Sequence, residues 1–84
     1  MKIAARWDQV SMLSTTDTAW TILLQGKDAR GLLMKTVQEM TAMGAEIKAA
    51  RAQTWGRHVE DAIEMKPMAG DPEAWVQDLR SKLT

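Results

Sequence analysis

Trp20-Thr21-Ile22-Leu23-Leu24-Gln25-Gly26-Lys27-Asp28-Ala29-Arg30-Gly31-Leu32-Leu33-Met34-Lys35-Thr36-Val37-Gln38-Glu39-Met40 changes its apolar period midway. Trp20, Ile22 and Leu24 fall on one side of an extended chain, with Thr21 and Leu23 on the other, which is the alternation of a strand. Because Leu23 is also apolar, the second side is expected to be partly covered. Further on, Leu33, Val37 and Met40 recur at i, i+4 and i+7, with Leu32 and Met43 beside them. Lys35, Gln38 and Glu39 point away, so this segment reads as an amphipathic helix. Asp28 is placed to cap its start, and Gly44 supplies the left-handed residue that commonly ends one.

Downstream, residues 45–54 and 58–66 read as two strands joined by Trp55-Gly56-Arg57, a three-residue connection suited to a hairpin with a bulged turn. That register pairs Ile47 with Met65, Ala49 with Ile63 and Arg51 with Asp61. Asp61 interrupts the apolar alternation of Val59, Ile63 and Met65, and two explanations stand: a cross-strand charge pair with Arg51, or a solvated carboxylate near the sheet end. Asp71-Pro72 then marks a helix start, with Asp71 as cap and Pro72 preset for the first helical position. Trp75, Val76, Leu79 and Leu83 make its apolar face, opposite Glu73, Gln77, Asp78 and Lys82.

Upstream, Ile3-Ala4-Ala5-Arg6-Trp7 alternates and is expected to be an edge strand, while the polar run from Ser11 to Asp17 reads as a loop. The predicted order is strand, strand, helix, strand, strand, helix over one domain, residues 1–84. This is an α+β class chain: a ferredoxin-like two-layer sandwich, order ββαββα, with two helices on one face of a four-stranded antiparallel sheet.

Composition narrows the function classes. Eighty-four residues bury a thin core, and such domains rarely exceed about 3–5 kcal/mol of stability without staples. The chain has no cysteine and a single histidine, His58, which rules out disulfides and argues against a structural zinc site. Association with a second copy is therefore the expected source of extra burial. Eleven basic and eleven acidic side chains cancel, which argues against nucleic acid and against an anionic membrane surface as partners. Without a signal-like or membrane-spanning apolar run, a cytoplasmic location is expected. Phe, Tyr, Cys and Asn are all absent beside four Trp and seven Met, a bias that fits either a skewed genome or a redesigned, restricted alphabet.

Thr18 to Leu33 resembles the opening strand, loop and helix of ACT domains, which typically show an apolar strand followed by Asp-Arg-Pro-Gly-Leu-Leu. Gly44-Ala45-Glu46-Ile47 is similar to the family's lead into its second strand. Thr54-Trp55-Gly56-Arg57-His58-Val59-Glu60-Asp61-Ala62-Ile63 resembles its hairpin, most nearly that of the C-terminal ACT repeats of bacterial uridylyltransferase/uridylyl-removing enzymes. Arg6-Trp7-Asp8-Gln9 stands where a leading strand precedes those repeats. The family proline is absent, since Arg30 precedes Gly31.

The resemblance implies a regulatory module that binds an amino acid at an interface between two copies, using the loop after the first strand. In this chain that loop offers Lys27, Asp28, Arg30, Gly31 and Leu32 as ligand-binding residues. Gly31 permits close approach to the backbone, the helix start offers N–H groups for a carboxylate, and Asp28 offers a charge for an ammonium. The same residues also suit a plain strand-to-helix turn. No Ser/His/Asp constellation, phosphate loop or carboxylate pair is evident, so no enzymatic activity and no cofactor are expected. His58, Glu60 and Glu64 read as one solvated strand face, and the tryptophans as packing anchors. Two other classes stand beside amino-acid sensing: a homodimerisation module without ligand, and a designed fold with no biochemical activity.

Overall fold

The computed structural model describes residues 6–27 and 31–84. Its elements run β1 (Gln9–Thr15), β2 (Trp20–Lys27), α1 (Leu32–Ala42), β3 (Ile47–Trp55), β4 (His58–Met65) and α2 (Pro72–Leu83). The order ββαββα agrees with the sequence reading, and the four strands form one antiparallel sheet in the order β1-β2-β4-β3. Val10, Trp20, Ile22, Leu24, Ile63 and Met65 face the same side and join Leu32 and Met40 of α1 and Val76, Leu79 and Leu83 of α2 in a single buried cluster. The opposite face of the sheet carries no helix.

The leading strand lies later than expected. Arg6 and Trp7 are outside it, Ile3–Ala5 fall outside the described residues, and the polar run assigned to a loop is β1 itself. An edge strand with one open face needs apolar residues only where it meets the core, and Val10 and Met12 are enough. Leu13, 58% exposed, is the extra residue of a bulge between the pairs Met12–Ile22 and Ser14–Thr21, which hides the alternation.

Trp7 nevertheless belongs to the core, being 3% exposed. Its backbone N–H donates to the Leu83 carbonyl at 3.0 Å, and its indole Nε1 donates to Thr36 Oγ1 at 2.7 Å. Thr36 in turn donates to the Leu32 carbonyl at 2.8 Å. This relay explains why the buried stripe of α1 is Leu32, Thr36 and Met40, with Leu33 and Val37 only flanking it. A hydroxyl with both bonds made is tolerated where an apolar residue was expected. Gly26 is the seat for the indole. A Cβ there would stand 3.2 Å from Trp7 Cε3 and 3.3 Å from the Asp8 nitrogen, too close for either to be undisturbed.

The hairpin also departs from the predicted register. Trp55 pairs with His58, so the turn is the two residues Gly56-Arg57, with Gly56 at φ 58° in the first position that a II′ turn reserves for glycine. Ile47 pairs with Met65 as expected. A bulge before Ala49 then moves every later pair by one: Arg51 lies opposite Ala62, and Asp61 opposite Ala52 and Leu24. Arg51 is therefore on the open face while Asp61 points to the helix side, 2% exposed. Neither the Arg51–Asp61 pair nor a solvated Asp61 describes it.

Helix α2 follows its sequence closely. Asp71 accepts from the Glu73 N–H at 3.3 Å, Pro72 occupies the first turn, and Trp75 packs edge-on against Trp20 with ring centroids 6.4 Å apart. Asp71→Ala is expected to lower stability by about 1 kcal/mol, and Asp71→Ser to restore most of it. Thermal melts of the two variants check this; equal losses in both would mean that the side-chain cap contributes nothing.

Candidate functional site

The strand-to-helix loop places the expected ligand-binding residues unevenly. Lys27 closes β2, exposed and paired with His58. Asp28 and Arg30 lie outside the described residues. The cap position of α1 is Gly31, at φ 80°, rather than Asp28, and its carbonyl accepts the Lys35 N–H at 2.9 Å. The left-handed glycine turns the chain directly into the helix, so no side chain is needed at that position. Among the described residues none caps the start with a side-chain hydrogen bond, and the first turn holds no acidic residue. Leu32, expected to touch ligand, is a core residue 3% exposed.

Lys27 and Leu32 nevertheless meet at a cavity of about 180 Å³ on the helix side of the sheet. Leu33 completes the α1 wall and Trp7 closes one end, while Val59 and Asp61 of β4 and Ala52 and Thr54 of β3 contribute the sheet wall. Asp61, buried, and Lys27, exposed, thus border one small space together with Thr54, although Lys27 pairs with His58 and its side chain leaves β2 on the opposite face. Gly31 does not line it. Asp61 and Thr54 were not among the expected site residues. The signal for Asp61 was its break in the apolar alternation of β4, which the one-residue register error assigned to Arg51.

The β3 part of the cavity wall, Ala52 and Thr54, is exposed. That strand is covered by no helix on either side, and every residue from Lys48 to Trp55 is exposed. With Trp55–His58 as the pair closing a two-residue turn, Gln53 and Arg51 bond inward to β4, and Ala50, Ala52 and Thr54 present their backbone groups to the free edge.

No group of three or more His, Cys, Asp or Glu able to hold a metal occurs among the described residues, and no helix among them is long and apolar enough to cross a membrane. Comparison with protein families, curated proteins and solved structures gives no match.

Proposed function

We propose that this chain is a small regulatory ACT-like module that binds a free amino acid in the cavity beneath the start of α1, at a site completed by a second copy across β3. The observation that carries this reading is that Lys27 and Asp61, opposite in charge, border one cavity of about 180 Å³ at the foot of a helix that no described side chain caps. A zwitterion suits such a site: its carboxylate meets the Lys27 ammonium and the first-turn N–H groups, and its ammonium meets the Asp61 carboxylate. The sheet order β1-β2-β4-β3 supports a ferredoxin-like reading in which the leading strand takes the edge that a final strand usually occupies.

The free edge of β3 sets the geometry of the pairing. A two-fold axis through Ala52 makes an antiparallel ladder in which Ala50 faces Thr54 and Arg51 faces Gln53 of the second copy, so no like charges oppose one another. Ala52 and Thr54, which line the cavity, then stand at the seam. Calorimetric titration with the twenty amino acids, run beside sedimentation equilibrium, tests the proposal. One or a few amino acids are expected to bind, with Lys27→Gln weakening the affinity roughly tenfold through loss of one charge-assisted contact. Heat from none of them at millimolar concentration would remove the sensing reading.

Ligand-free association is the second reading, and it rests on the exposed edge alone. In that case the protein is a dimer at about 100 µM, a hundred times a Kd of ~1 µM, with no amino acid present. Ala52→Pro, which removes an outward-facing N–H and leaves the ladder to β4 intact, is expected to give a folded monomer. A parent chain that is already monomeric without ligand at that concentration excludes this second reading.

A further inference from the structure

A larger cavity, about 470 Å³, lies on the opposite, helix-free face of the sheet. Alternation brings Gln25 of β2, His58 and Glu60 of β4 and Trp55 of β3 to this face near the hairpin turn, and Asp8 stands at the rim beside β1. Three features give it a chemical character. Trp55 is 55% exposed, whereas Trp7 and Trp20 are buried and Trp75 is half-buried, so the indole that forms one wall is held in water at a hydrophobic cost. Glu60 is oriented, its Oε2 accepting from Gln25 Nε2 at 2.9 Å. Asp8 adds a second acidic side chain, its backbone held by an N–H bond to the Gln25 carbonyl at 2.8 Å, and among the described residues neither lysine nor arginine lines the space.

An aromatic face beside two carboxylates attracts a cation twice over, through the ring quadrupole and through charge-assisted hydrogen bonds. The volume suits a small organic molecule rather than a bare ion. We propose that this cleft binds a small organic cation, an alkyl guanidinium or alkylammonium compound, stacked on Trp55 with its charged head against Glu60 and Asp8. Val59 is the one residue common to both cavities, and Lys27 lines only the other. The site therefore stands independently of the amino-acid reading.

The probe is agmatine, with neutral n-butylurea and anionic glutarate as controls, followed by the four indole N–H signals in proton–nitrogen NMR spectra. Agmatine is expected to move one indole signal saturably, with that signal missing in Trp55→Phe, and to move the backbone signals of Gly26 and Glu60. Glu60→Gln is expected to weaken binding roughly tenfold, and Lys35→Gln, on helix α1, to leave it unchanged, with the remaining signals of each variant confirming its fold. The proposal fails if no indole signal moves at about 20 mM agmatine, well above a Kd of ~1 mM. It fails equally if n-butylurea binds as well as agmatine, or if Glu60→Gln binds as tightly as the parent.

Discussion

Trp7→Ala is expected to destabilise the domain by about 3–5 kcal/mol, the usual cost of removing a buried aromatic. A thin core without staples rarely holds more than about 3–5 kcal/mol in total, so the variant sits near the limit of folding. Three losses coincide. The indole leaves a void over Gly26, whose lack of a side chain gives nothing to fill it. The Thr36 hydroxyl, fully buried on α1, loses the donor at 2.7 Å that helped to satisfy it. The segment ahead of β1 also loses its side-chain anchor to α1, keeping only the backbone bond to Leu83. Urea unfolding measures the change, and Trp7→Phe separates the causes. Phenylalanine keeps most of the packing and removes the indole N–H, so it is expected to cost about 1–2 kcal/mol, near the value of one buried hydrogen bond. A Trp7→Ala loss below about 1 kcal/mol would mean that the sheet and helices close without this residue.

Ile63→Ala carries the second large expected effect, about 2–5 kcal/mol for a fully buried aliphatic side chain. Its row crosses the sheet from Met12 through Ile22 and Ile63 to Ala50. Ile22 and Ile63 are completely buried, whereas Ala50, on the next strand and the same face, is exposed. Along this row the core thus stops at β4, although Ile47 at the start of β3 still packs against it. Ala50→Thr, one strand away, is expected to stay within about 0.5 kcal/mol of the parent, the range of ordinary surface changes. Paired denaturation curves decide the matter. Equal losses at the two positions would mean that β3 is covered in solution by something that protects Ala50, which a second copy would do.

The elements legible in the sequence are those that meet water on one side and the core on the other. β2, β4, α1 and α2 each carry that contrast, and their periods gave the order of elements. β1 failed because a bulge at Leu13 breaks its period and its outward residues are polar. β3 gave its existence but not its register, since Lys48-Ala49-Ala50-Arg51-Ala52 offers almost no side-chain contrast and a bulge leaves no mark there. Once the register slipped by one, Arg51 was turned to the wrong face and became the partner of Asp61. The site suffered likewise. Lys27 and Leu32 come from one short loop and could be read together, while Thr54 and Asp61 reach them only through the pairing of β3 with β4. The cleft on the open face joins Asp8, ahead of β1, to Gln25, Glu60 and Trp55 on three strands, and no local spacing announces such a set.

The bond from the Trp7 N–H to the Leu83 carbonyl, with Arg80 Nε reaching the Val10 carbonyl at 2.9 Å, sets two distant points of the chain side by side. The path through the fold is thereby almost a closed loop. A short covalent bridge there would circularise it with little distortion, and the backbone could then be cut between Gly56 and Arg57 while all strand neighbours stay in place. The same adjacency means that the folded path from Trp7 to Leu83 starts and finishes at one corner.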